Sequence, residues 1–162
     1  MKLIILIGSF LIFSNLNYCQ NKPGFFDYQE VKKSFKYYIK NLEKVELLKT
    51  KMNDSLISLV NSFKKRTSSI CGNYTQLELE KQRKYLIEQH EKIETFRVYA
   101  LNELKKEQDN LESITEEKIS AIMKSFCGLK GILFLSKRTD LLYCENCEDY
   151  TAEFKKFINL KI

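Results

Sequence analysis

The chain has 162 residues, with 27 Lys and Arg against 21 Asp and Glu, for a formal net charge of +6. One Pro, five Gly, no Trp and 30% charged residues argue against an ordinary compact globule and for long helices. From Ser34 to Phe126 there is no Pro, and Gly72 is the lone Gly.

The N-terminus reads as an export signal over residues 1–19. Lys2 supplies the charge, and Leu3 to Phe13 is an apolar core well short of the roughly 20 residues a membrane span needs. Cleavage after Cys19 would leave Gln20 as the new N-terminus. The alternative is a lipobox, Leu16-Asn17-Tyr18-Cys19, with Cys19 acylated; Tyr18 stands where a small residue is wanted. An uncleaved anchor helix fits the short core less well. Loss of Lys2 with the leader leaves 26 basic and 21 acidic residues, a net +5.

Gly24-Phe25-Phe26-Asp27-Tyr28 is short, aromatic and follows Pro23, which suits a strand. An apolar repeat then begins. Reading from Phe35, apolar residues fall at Tyr38, Leu42, Val45, Met52, Leu56, Leu59, Phe63 and Ile70, interrupted by Lys49 and Arg66. Steps of three and four along such a seam demand a partner helix. The stretch 67–75 gathers the turn formers and Gly72, and Thr75 precedes Glu78 at capping-box spacing, which starts a second helix. Leu79, Leu86, Ile93, Phe96, Ala100, Leu104, Leu111, Ile114 and Ile122 carry its weaker seam, with Gln82, Gln89 and Glu107 as polar gaps. The expectation is a long antiparallel helical hairpin from about Val31 to about Phe126. It forms a coiled-coil arm of roughly 50 Å at about 1.5 Å per residue.

Past the arm, Gly131–Ser136 reads as a strand, Lys137–Asp140 as a turn, Leu141–Cys144 as a third strand, and Asp149-Tyr150-Thr151 as a helix start. Phe154, Phe157, Ile158 and Leu160 give that helix an apolar face. Three short strands and one helix bury too little surface to stand alone. The fold class is therefore mainly α with a small β body. Residues 20–33 and 127–162 form the body, residues 34–126 form the arm, and copies of the chain associate through the body.

Lys64, Lys65 and Arg66 on one leg and Lys81, Arg83 and Lys84 on the other crowd the tip, opposed between Ser62 and Lys84 by Glu78 and Glu80. Such a tip attracts acidic clients, anionic lipid headgroups or lipopolysaccharide in a salt-dependent way; the alternative is an ordinary solvated helix face. Cys144-Glu145-Asn146-Cys147 is a CxxC, but Glu145, Glu148 and Asp149 beside it raise a thiol pKa. A local disulfide or two plain thiols is favoured over a redox enzyme. No phosphate loop, paired-carboxylate site or metal motif is evident. No cofactor is expected, the chain reads as a binder and not an enzyme, and export argues against nucleic acid.

The order of signal, aromatic strand, hairpin, strand pair and terminal helix resembles the OmpH/Skp family of periplasmic chaperones, in particular its Bacteroidetes-type members. The resemblance runs from Gly24 to Leu160. It is carried by Gly24–Tyr28, by Phe96–Leu104 and Gln108–Ile114, and by Leu142-Tyr143 and Asp149–Phe154. Members often have Pro just before the position of Ile114; Ser113 here implies a less kinked return leg. The family implies a jellyfish-like homotrimer whose arms protrude from a strand-paired trimerisation body. Phe26, Tyr28, Leu133, Leu135 and Leu142 would lie in that body. It also implies a periplasmic holdase that shelters unfolded outer-membrane proteins between its arms without ATP. The rival readings are an envelope coiled-coil adaptor, lipid-anchored through Cys19, and a thiol oxidoreductase using Cys144 and Cys147.

Overall fold

The computed structural model describes residues 23–68 and 74–160. The leader, Cys19, Ile70, Cys71 and Gly72 lie outside the described residues. The chain is mostly helical with one small sheet. In order it forms β1 (Gly24–Phe26), α1 (Tyr28–Ser34), α2 (Lys36–Ser68), α3 (Gln76–Lys130), β2 (Leu135–Lys137), a 3-10 turn (Arg138–Asp140), β3 (Glu148–Asp149) and α4 (Thr151–Leu160). It divides into two compact units, one holding Lys32–Ile119 and the other the residues up to Val31 together with those from Ser120 onward. The body and arm boundaries read from sequence fell at 33/34 and 126/127.

The helical unit is built on the apolar repeat. Phe35 and Val45 are buried, and Tyr38, Leu42, Met52, Leu56, Leu59 and Phe63 are half-buried. On α3, Ile93, Ala100, Leu111 and Ile119 are buried, while Gln82, Gln89 and Glu107 are half-buried among them. Early α2 meets late α3: the Lys118 ammonium lies 4.7 Å from the Tyr37 ring centroid, and the Tyr38 hydroxyl is 3.4 Å from Glu112 Oε1. At the other end of α2, Arg66 stacks 4.4 Å over the Tyr85 ring. Lys32, nearly buried, donates to both Glu112 carboxylate oxygens at 3.0 Å; desolvation is tolerable because the ammonium keeps a charged, doubly hydrogen-bonded partner.

Helix ends follow local chemistry. Thr75 and Glu78 form the expected capping pair at the start of α3. The Thr75 N–H and hydroxyl both donate to Glu78 Oε2, at 2.9 and 2.7 Å, and these bonds, the hydroxyl's first, hold the Glu78 carboxyl below its ordinary pKa. Two helices, α1 and α2, precede Thr75. Helical bonding is interrupted at Phe35, whose N–H turns back three residues to the Lys32 carbonyl at 3.1 Å. α3 is unbroken through Ser113 and runs to Lys130, beyond the expected Phe126. Nothing stops it earlier, since Gly128 sits in open space. The stop is Gly131, with φ of 67°, and the Ile132 N–H bonds to the Cys127 carbonyl at 3.0 Å. This is the six-residue closure of a Schellman cap, which needs a residue that accepts positive φ.

The strand reading needs correction in three places. Tyr28 is the first residue of α1 and not strand. The Asp27 carboxylate accepts the Glu30 N–H at 3.0 Å and caps α1, so β1 ends at Phe26. Leu133 is exposed and precedes β2, because the Schellman cap and Ile132 use the residues after Gly131 to leave the helix; the ladder starts where Gly24 N–H meets the Phe134 carbonyl at 2.8 Å. Leu142 is fully exposed and in no strand. The third strand lies at Glu148–Asp149, and the sheet order is β2-β1-β3 with both pairs parallel. Parallel neighbours cannot be joined by a hairpin. Leu141–Cys144 is therefore spent in the crossover that returns the chain to the start of β1.

This second unit has an aromatic core. Phe26 and Phe126 each lie 5.1 Å from Phe154, and Phe126 lies 5.3 Å from Phe157. Each such pair contributes about 0.5–1.5 kcal/mol beyond its area. Ile158 and Ile132 complete the core. Thr151 Oγ1 accepts the Asp27 N–H at 2.8 Å, and Asp149 Oδ1 accepts the Thr151 N–H at 2.9 Å, which joins the end of β1 to the start of α4. Gly24 is required by close approach: a Cβ there would overlap the Tyr150 ring and stand 3.1 Å from Leu135 Cδ1.

Candidate functional site

The basic residues singled out at the tip occupy the last turns of α2 and the early turns of α3. Lys64, Lys65, Arg66, Lys81, Arg83 and Lys84 are all exposed. The stacking of Arg66 on Tyr85 sets the two groups side by side, and Lys81 is four residues before Tyr85 on the same helix face. Leu77 and Ile87, flanking the α3 cations, are also exposed. The surface offers delocalised positive charge with apolar side chains among it, the chemistry of weak anion and amphiphile binding.

A second feature was not read from sequence. The seam packs incompletely where Lys49 takes a seam position and Ala100 offers only a methyl group. A groove of about 300 Å³ opens there, lined by Met52, Asn53, Leu56, Ala100, Leu101 and Leu104 with Lys49 and Arg97 at its edge. Both cations are matched within their own helices, Lys49 to Glu46 at 3.3 Å and Arg97 to Glu94 at 3.2 Å. Leu47, Ile57, Ile87, Val98 and Leu101 are exposed apolar residues of this unit. The available signal was the apolar neighbour beside a seam residue, as in Leu56-Ile57 and Ala100-Leu101: one residue of each pair must leave the seam.

The residues assigned to the body separate. Phe26 is consumed in its own unit's core, and Leu135 is half-buried in β2 beside Gly24. Tyr28 lies beneath the Lys137 ammonium, 4.7 Å from the ring centroid. Leu133 and Leu142 are exposed, together with Leu129, Phe134, Tyr143 and Leu160. β2 and β3 are the edges of the three-stranded sheet.

Cys144 and Cys147 are joined by a disulfide, with Cα atoms 5.5 Å apart. Cys147 directly precedes β3, and α4 begins only at Thr151, so neither sulfur sits at a helix N-terminus. Cys127 is a free, half-buried thiol whose pKa is raised by desolvation. His90 is exposed. Among the described residues, no group of three or more His, Cys, Asp or Glu is placed to hold a metal ion, and no helix is long and apolar enough to cross a membrane. No protein-family model matches the chain, and the curated proteins offer no match.

Proposed function

We propose that the chain is an exported, ATP-independent holdase chaperone that shelters unfolded outer-membrane proteins, acting as a homotrimer in the periplasm. In this reading α2 and α3 form an antiparallel hairpin arm. Three arms enclose the client, and the sheet-bearing units associate through the exposed Leu133, Leu142 and their neighbours. The observation that carries it is the seam in which early α2 meets late α3, with exposed apolar side chains and an open groove along it and exposed cations where the end of α2 meets the early turns of α3. An unfolded barrel chain alternates apolar and polar residues and has no fixed shape. It is best held by many weak apolar contacts and diffuse charge, summed by avidity over several arms. Such contacts need no catalytic group and release without an energy source.

The oxidoreductase reading gains nothing from the position of the CxxC, which precedes a strand with acidic neighbours. The deciding experiment pairs light scattering with suppression of aggregation of a urea-unfolded outer-membrane barrel protein. The reading expects about three times the monomer mass and protection near one trimer per client. A folded monomer at micromolar concentration would overturn the trimer, and a trimer that leaves aggregation unchanged would favour the envelope adaptor. Changing the six tip cations to Gln should slow capture and flatten its salt dependence, while the apolar contacts retain some binding. Equal rates and equal salt response would reduce those cations to solvation.

A further inference from the structure

The two sheet pairings set an unusual demand on residues 138–147. Because β2 and β3 both run parallel to β1 on its two sides, this short segment must carry the chain back along the full strand length and across β1. Little in it packs. Leu142 and Tyr143 are exposed, and the 3-10 turn has no buried residue. The segment ends at the Cys144–Cys147 bond, and the residue after Cys147 is Glu148, the first of β3.

β3 itself is slight. It has two residues, both exposed. Its attachment to β1 includes the Glu148 N–H to the Pro23 carbonyl at 3.0 Å and the Tyr150 N–H to the Phe25 carbonyl at 2.9 Å. Yet it delivers Tyr150 against Gly24 and starts α4, which carries Phe154 into the core. The covalent bond is thus a local constraint on the segment that positions these residues, added to the hydrogen bonds of Glu148, Asp149 and Tyr150.

We propose that the Cys144–Cys147 disulfide is a redox latch that holds the crossover closed and β3 on the edge of β1. Both cysteines are partly exposed, in a segment whose Leu142 and Tyr143 stand in solvent, so a small thiol can approach them. An external thiolate attacks one sulfur, forms a mixed disulfide and expels the other cysteine as a thiolate, which takes up a proton. A second external thiol then releases the first cysteine. Two electrons pass to the chain, the donor leaves as its own disulfide, and two cysteine thiols remain. A low-molecular-weight disulfide reverses the sequence. Burial raises the Cys127 thiol pKa further above its ordinary value, which makes Cys127 a poor internal attacker on the pair. The latch is independent of the chaperone reading.

The test is amide hydrogen exchange on the mature chain in oxidised and reduced glutathione buffers, with thiol counting in parallel. Reduction should free two thiols at Cys144 and Cys147, located by alkylation and peptide mapping. It should lower protection at Glu148 and Tyr150 by roughly tenfold or more, the scale of releasing a short closed loop, and leave the amides around Val45 unchanged. A Cys144→Ser/Cys147→Ser variant should show the reduced pattern in both buffers; if it fails to fold, the wild-type comparison alone decides. Unchanged protection at Glu148 and Tyr150 after confirmed reduction overturns the latch. So does a redox response that persists in the double variant, or two free thiols at these positions in the oxidised buffer.

Discussion

The helical unit and the sheet-bearing unit are held together by opposite means. Between Lys32 and Ile119 cohesion is spread along two long helices, with many half-buried residues and few fully buried ones. In the other unit a handful of aromatic side chains from distant parts of the chain meet at one point: Phe26, Phe126 and Phe154 are each about 1% exposed or less. Distributed cohesion tolerates a local fault such as the groove at Ala100, since neighbouring turns keep their contacts. Concentrated cohesion does not, because each ring completes the packing of the others.

The largest test of this contrast is Phe154→Ala. It removes the ring shared by Phe26 and Phe126 and should cost about 3–5 kcal/mol. Near-UV circular dichroism and exchange at β1 and α4 should collapse, while exchange in α2 stays slow. Simultaneous loss of α2 protection would show that the two units fold as one.

Next comes the opposite substitution, Val45→Asp. It puts an unpaired carboxylate at a seam position only 6% exposed and should destabilise the helical unit by roughly 1–3 kcal/mol. Exchange should quicken in the turns around Val45 and not at Phe26. Uniform acceleration over all of α2 and α3 would mean that the seam is more cooperative than its polar gaps imply.

Gly24→Ala should cost about 1–3 kcal/mol by overpacking, since the new methyl group meets the Tyr150 ring and Leu135. Adding Tyr150→Ala should recover part of the loss by making room. A neutral Gly24→Ala in chemical denaturation would show that the Tyr150 ring moves aside freely, and that close approach is not what selects glycine there.

The smallest effect is local and depends on pH. Glu78 is held below its ordinary pKa by bonds from Thr75, so folding favours its charged form. The cap's contribution is fully present above the ordinary Glu value of about 4.3. It is lost as pH falls below that through the lowered folded value. Amides in the first turn of α3 should lose protection in that window, and Glu78→Gln should abolish the pH dependence there. A first turn that frays equally at pH 3 and pH 6 would remove the carboxylate from the cap.

Local rules made much of the helical unit legible. The spacing of Val45, Met52 and Phe63 marked the inward side of α2, and the Thr75 and Glu78 pair marked where α3 begins. Each acts within one or two turns of its own position, so a linear reading finds it. The stacking of Arg66 on Tyr85 was not legible, because it depends on register between two helices. The groove was half-legible: Lys49 was visible as a break in the seam, but not that Ala100 sits in its lining.

Sequence by itself determined the helical character, most of the seam residues though not the exposed Leu79, the α3 cap and a helix start within Asp149-Tyr150-Thr151, since helical periodicity and capping are short-range. Only the tertiary structure decided which short apolar segments become strands and in what direction. Leu141–Cys144 has the composition of a strand, and Glu148-Asp149 does not. Pairing is chosen by which backbone groups can reach Pro23 and Phe25 once Phe154 is seated in the core. That choice is made by contacts more than 100 residues apart in the chain, and no local propensity records it.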